Sequence, residues 1–277
     1  MQAQTEIHPA AVVEAGAQLG IGVKIGPFCH VSGEAIIGDR THLVSHVSVQ
    51  GATTLGEDCM VHPTAILGGL PQNNKHKGGH STLVVGNNCI IREGVTMHRG
   101  TDTSRGTTTV GDNGNFLAYV HIAHDCAIGR NVTMANLATL GGHCEIGDFV
   151  NCGGLSAVHQ FCRVGHHAFV AGAAIVVGDI IPYGMAMGNR ATLRGLNVIG
   201  MKRSGMPRTE ILALRKASRM MFDRERPVSE NLDIVATEFA DSAVVRDVIE
   251  FFRDRGTRPY VVPPLGRAIN DSDDDDS

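Results

Sequence analysis

One apolar position recurs at every sixth place along most of this chain. Stepping by six from Ile7 gives Val13, Leu19, Ile25, Val31, Ile37, Leu43, Val49, Leu55, Val61 and Leu67, all aliphatic. The register returns at Val85, Ile91 and Met97, slips, and runs again from Val110 and Phe116 through Ile122, Ile128 and Met134 to Val176. A helix repeats near 3.6 residues and a strand near 2, so a strict six belongs to neither alone. It predicts three short strands joined by tight corners, a triangular coil of three hexads with one inward aliphatic side chain per strand. The fourth residue after each of these is small or apolar as well, as at Ala11, Ala17, Val23, Cys29, Ala35 and Val47. Twenty-six such hexads give eight to nine coils and a prism about 40 Å tall at the spacing of neighbouring strands.

Two segments break the period. Leu70 to Leu83 is polar and glycine-rich. Leu67 and Val85 are three hexads apart, so this segment is expected to replace most of one coil without shifting phase. Thr101 to Thr109 does shift the phase. Long loops in a rigid solenoid are favoured places for function. From Ala191 the hexad period is lost. Amphipathic spacing then predicts helices over Pro207 to Glu225, Ser229 to Phe239 and Ser242 to Arg255. The expected organisation is a parallel β-helix over residues 1–190 with loops near 70–83 and 101–109, a smaller α-helical domain over 191–258, and a disordered acidic tail over 259–277.

Composition narrows the picture. The 277 residues hold 34 glycines, no Trp and only 4% aromatics, which suits a core of small aliphatic side chains with many corners. A net charge of -4 argues against nucleic acid as a partner. No basic segment followed by an apolar run opens the chain, and no apolar stretch is long enough to span a membrane. The seven cysteines fall on inward positions, so they read as reduced packing residues of a cytoplasmic protein.

A coil of three hexads turns sequence distance into stacking. His124, Gly142 and Gln160 fall in one column, and Asp125, His143 and Phe161 in the next. His121 and His159 lie close by, with His98 just before the phase slip. Histidine can accept a proton near neutral pH, Asp125 can orient it, and the Gly142 N–H can stabilise an oxyanion. The glycine can equally be needed for the corner alone. Of the other histidines, His8 and His62 sit in matching Ile7-His8-Pro9 and Val61-His62-Pro63 corners and read as turn residues. Clustered histidines also hold zinc in trimeric hexapeptide proteins of the gamma carbonic anhydrase type.

At Ile91-Arg92-Glu93-Gly94-Val95-Thr96-Met97-His98-Arg99-Gly100, His121-Ile122-Ala123-His124-Asp125-Cys126 and Ala157-Val158-His159-Gln160-Phe161 the chain resembles the UDP-N-acetylglucosamine acyltransferase family. The resemblance runs to about Thr257. It implies a left-handed β-helix, whereas general crossover chirality would favour the right hand. It also implies a homotrimer with sites between subunits, and transfer of an (R)-3-hydroxyacyl group from acyl carrier protein to the sugar 3-position of a UDP-sugar. That reaction is the first step of lipid A biosynthesis and needs no cofactor or metal. His124 then matches the general base, Asp125 its orienting partner and Gly142 the oxyanion donor. Lys75, His98, His143 and Gln160 match substrate-contacting positions, with Gln72, His121 and His159 nearby. Asn197 and Arg203 resemble nucleotide contacts, and Gly172 matches the ruler of acyl length, with Phe169 and Arg190 beside it. Three positions depart from the family: Asn73 stands where familiar members carry Asp next to the acceptor sugar, Ile199 replaces a Glu, and Arg190 replaces a His. Some relatives use a 3-amino sugar, so Asn73 leaves both acceptors open. The alternatives are a hexapeptide N-acyltransferase acting later in the same pathway and a non-catalytic β-helix scaffold. Finally, nine basic residues against three acidic ones between Arg194 and Arg226 suggest a docking face for an acidic carrier protein.

Overall fold

The computed structural model describes residues 4–254 and 256–264. Its first 26 strands, mostly of two residues, wind around three parallel faces. The first face starts with Glu6–Ile7, the second with Val12–Val13 and the third with Gln18–Leu19. Each strand pairs with the one a full coil later, as Glu6 with Lys24 and Ile7 with Ile25. The second residue of each strand points inward: Val31, Leu43, Val49, Val61 and Leu67 are all fully buried. The seven cysteines are free and buried along the same axis. The first coil is open: its inward Ile7 is exposed, and Val13 and Leu19 are only partly buried.

The small corner residues explain the compactness of each turn. Many corners place a non-glycine residue in the left-handed region, among them Asp125, His143 and Phe161 at φ 61°, 63° and 65°. At many of them the backbone N–H donates to the carbonyl of the coil before, as His143 to His124 O at 3.0 Å and Phe161 to Gly142 O at 3.0 Å. These bonds hold in place a backbone shape that costs energy for any side chain but glycine.

Both inserted loops leave the same corner, between the second and third faces. The first lies between strands Ile66–Gly69 and Thr82–Val85, the second between Thr96–His98 and Thr107–Val110. The first does not replace a coil, as the phase alone suggests. Ile66 pairs with Thr96, five hexads on instead of three, so two hexads are added to a coil that keeps all three of its strands. Whole hexads leave the phase intact. In the second, Thr96 pairs with His121, one place beyond four hexads, and that extra place is the phase slip. Longer strands stiffen the stems, with Thr82 to Val85 paired residue by residue to Thr107 to Val110.

Past Val176 the first face gains Gly184–Met187 and then an antiparallel strand, Thr192–Leu196, a hairpin that the hexad period does not foretell. Among the described residues four helices follow: α1 (Val198–Arg203), α2 (Arg208–Met221), α3 (Val228–Glu238) and α4 (Ala243–Arg253). The apolar faces of the last three meet through Ile211, Leu214, Met221, Val235, Val245, Val248 and Phe252. Buried Arg163 ties this unit to the prism: its Nε donates to Asp179 at 2.8 Å, and its guanidinium lies over the Phe251 ring. The tail expected to be disordered is fastened at its start. The Val261 N–H donates to Asp179 O, and Val262 O accepts the Leu193 N–H. Residues 265–277 lie outside the described residues.

Candidate active site

The column of His124 and Gly142 lies at the corner from which both loops emerge. His124 is buried, and its Nδ1 donates to Asp125 Oδ2 at 2.8 Å. A carboxylate only accepts, so Nδ1 carries a proton, and the tautomer this fixes has its lone pair on Nε2. Asn73, in the first loop, points its Nδ2 at that lone pair from 3.4 Å. The amide orientation is set by its other end, since Asn73 Oδ1 accepts the Lys75 N–H at 2.9 Å.

Asp125 has no exposed surface. Besides His124, its carboxylate accepts the N–H and hydroxyl of Thr101, at 3.0 and 2.8 Å, and the N–H of Gly106 at 3.2 Å. Its own N–H donates to Thr108 Oγ1. Burial pushes the Asp125 carboxyl up, but the Thr101 N–H, His124 and the Thr101 hydroxyl together bring it below its ordinary value. It is therefore an anion at neutral pH, fixed from behind by the second loop.

Gly142 lies directly against this pair. A Cβ there would fall 2.6 Å from His124 Cε1 and 2.9 Å from Nε2. Its φ is not in the left-handed region, so the corner itself does not demand glycine. The imidazole does. Among the described residues the Gly142 N–H has no hydrogen-bond partner. A lone-pair nitrogen thus sits beside a free amide donor, the two elements that acyl transfer to a hydroxyl needs.

Other histidines frame the corner. His143 stacks on Phe161 at 4.3 Å and 3°, meets the edge of His124 and lies 3.3 Å from Ser104 Oγ. Burial lowers its pKa, the Asp125 carboxylate opposes, and His124 and Arg105 add to the lowering, so it is neutral near pH 7. His121 is likewise lowered by burial and by His98. Its Nδ1 is 2.8 Å from Thr96 Oγ1, while His98 donates to Leu70 O at 2.6 Å. Gln72 and Lys75 are exposed on the first loop, and His159 and Gln160 are exposed one coil above Gly142.

His124, Asp125 and His143 offer ligand atoms within 4.8 Å of one another. The arrangement suits a metal poorly. Four donors already occupy the Asp125 oxygens, and one of them is the His124 nitrogen that faces it.

One chain does not bring every candidate to this corner. Asn197 caps α1, accepting the Gly200 N–H, and donates to His167 O at the corner between third and first faces. Arg203 ends that helix. Phe169 is on the first face, Gly172 lies at the corner between first and second faces, and Arg190 lies in the hairpin turn. Conversely, the period gives no sign of Thr101, Gly106 and Thr108, which hold Asp125; only the break in register marks their segment.

A curated protein of Mesorhizobium japonicum named acyl-(acyl-carrier-protein)–UDP-N-acetylglucosamine O-acyltransferase is 64% identical over all of this chain and 99% of its own length. The chain belongs to this family and is an acyltransferase. A Bartonella henselae protein of the same name is 55% identical over 98% of this chain and 99% of its own. Residues 179–260 match the family model described as UDP-N-acetylglucosamine O-acyltransferase, domain 2. Two solved structures of UDP-N-acetylglucosamine acyltransferases superpose closely. The Francisella novicida protein has TM-score 0.89 at 34% identity over 94% of this chain and 95% of its own. The Campylobacter jejuni protein has TM-score 0.87 at 39% identity over 94% and 100%. The prism is accordingly the left-handed parallel β-helix of this acyltransferase family.

Proposed function

We propose that this acyltransferase moves an (R)-3-hydroxyacyl group from acyl carrier protein to the 3-hydroxyl of UDP-N-acetylglucosamine, the first step of lipid A biosynthesis. The observation that carries the reading is the His124 imidazole, fixed by Asp125 through Nδ1 so that Nε2 carries the lone pair, with Gly142, whose N–H has no partner among the described residues, packed against the ring. His124 Nε2 takes the proton of the 3-hydroxyl as its oxygen attacks the thioester carbonyl. The Gly142 N–H holds the oxyanion. Collapse breaks the carbon–sulfur bond, and the imidazolium returns its proton to the departing thiolate of the carrier. Asp125 stays ionised throughout and balances the charge on the ring.

Gln72, Lys75, His98, His121, His143, His159 and Gln160 surround the substrates at the same corner. Asn197, Arg203, Gly172, Phe169 and Arg190 sit on other parts of their own prism, which supports a homotrimer in which a neighbouring protomer brings its set to the groove. The donor is a cytoplasmic carrier protein. Among the described residues no helix is long and apolar enough to cross a membrane.

A second acceptor, the 3-amino analogue, is favoured by Asn73. An amine must be neutral to attack, and a carboxylate at this position would hold it as ammonium, whereas an amide does not. The test supplies purified protein with (R)-3-hydroxyacyl carrier and each UDP-sugar in turn, without added metal. Ester formation on the hydroxyl sugar supports the main reading, and amide formation alone transfers it to the amino sugar. No transfer to either overturns both.

A further inference from the structure

The two loops do not reach the catalytic corner independently. Asp102 of the second loop is embedded in the first. Its Oδ2 accepts the N–H groups of Gly79 at 2.9 Å and Lys77 at 3.2 Å, and its Oδ1 lies 3.1 Å from His76 Nδ1. Gly79 comes so close that a Cβ there would fall 2.7 Å from Asp102 Cβ. The Gly79 N–H, against the opposing effect of burial and with help from Lys77 and His76, holds this carboxyl below its ordinary value, so it accepts these bonds as a carboxylate at neutral pH. The groups gathered on Asp102 immediately follow Asn73 and Lys75 in the chain. Asp102 itself follows Thr101, whose N–H and hydroxyl hold Asp125. One dipeptide therefore grips the acid behind His124 with one residue, and with the next the loop that carries Asn73 to Nε2.

We propose that Asp102 is a positioning residue, a latch that fastens the first loop to the second and so keeps Asn73 on the acceptor side of His124. This rests on the reading of His124 as the base and of the first loop as the wall against which the UDP-sugar is placed. With the latch open, Asn73 and Lys75 lose their fixed distance to His124, and the sugar must order the loop as it binds. Sugar binding then weakens, while the Asp125–His124–Gly142 set, held separately by Thr101 and Gly106, keeps its turnover.

The test compares Asp102→Ala, Asn73→Ala and the double variant in the full-length protein. Asp102→Ala is expected to raise KM for UDP-N-acetylglucosamine about fivefold to tenfold, the scale of a lost charge-assisted hydrogen bond, with kcat within about threefold and KM for the carrier unchanged. Asn73→Ala should raise the same KM, and the double variant should be little worse than either, because the first acts through the second. Asp102→Asn, which keeps one acceptor oxygen, should fall between. An unchanged sugar KM, or additive effects, would overturn the proposal. A second readout needs no substrate: trypsin should cut after Lys75 and Lys77 faster in folded Asp102→Ala than in wild type. Equal cleavage rates also overturn the latch. Should Asp102→Ala fail to fold, His76→Ala, which removes the side-chain partner alone, takes its place in the same measurements. Failure of the base assignment would show instead as an active His124→Ala protein, with the protease result unaffected.

Discussion

Two corners of the prism carry a histidine in contact with an aspartate, and they are not equivalent. At the loop corner His124 meets Asp125 at 2.8 Å, with both side chains buried. At the corner facing the helices His166 meets Asp247 of α4 at 2.7 Å, with 30% and 41% of the two side chains exposed. The distances are interchangeable. The surroundings are not: Thr101 and Gly106 add three further donors to Asp125, and a glycine N–H and an amide flank its histidine. His166 sits edge-on to Tyr183, in a group of rings where Phe149, His167 and Tyr183 lie nearly parallel, and its acid arrives from a different structural unit. A short His–Asp distance identifies a contact and no more. A base needs its acid saturated from behind and its second nitrogen turned to a substrate.

The contrast predicts its own largest test. His124→Ala should lower the transfer rate by about 10²–10⁴-fold with the fold intact. His166→Ala should leave the rate within about twofold, as a half-exposed pair away from the chemistry contributes little. Initial rates with acyl carrier, and melting curves for both proteins, decide it; comparable losses of rate would erase the distinction. Next comes Gly142→Ala. The added methyl occupies the space of the imidazole, so His124 must turn, and misplacement by about an ångström costs up to about 10²-fold in kcat. Alanine adds no comparable obstacle at Gly172, where a Cβ would meet only Gly154 O at 3.3 Å. A longer side chain, Gly172→Met, should fill the groove and move preference toward shorter acyl chains, read by competition between carriers of different length. An unchanged preference would direct attention to Phe169 or Arg190.

The smallest effect is on stability in acid. The folded-state pKa of Asp125 lies below its ordinary value. Its contribution is therefore complete above the unfolded carboxylate range and is lost as pH falls through the depressed value. Asp125→Asn should flatten that part of the acid unfolding curve. An acid unfolding curve left unchanged by Asp125→Asn would contradict the assignment of Asp125 as a buried carboxylate held by its donors.

How far the sequence foretells this molecule depends on which interactions are periodic. One inward residue per strand fixes the prism, and a spacing of three hexads puts His124 against Gly142, because both follow from a backbone that repeats. The loops do not repeat. Two added hexads look, by phase, like a missing coil, and the bonds from Thr101 and Gly106 to Asp125 join residues with no fixed separation. Asn73 is conspicuous in the sequence as a departure from the family, but only the folded loop shows its amide on His124. Asn197 illustrates the opposite difficulty: an asparagine before Val198 is also a helix cap, and within one chain that is what it does. The hairpin of Gly184–Met187 and Thr192–Leu196 has too few alternations to stand out beside twenty-six hexads.

The insertion of both loops at one corner has a consequence for how such enzymes diversify. Rungs above and below a loop are locked by their own ladders, Ile66 to Thr96 and Thr96 to His121, whatever the length of chain between them. Closing a longer loop costs only a slowly growing entropy. The corner is thus a socket with fixed terminals. Loops of other lengths and sequences can be exchanged there as a matched pair, latch included, and present new acceptors to an unaltered His124.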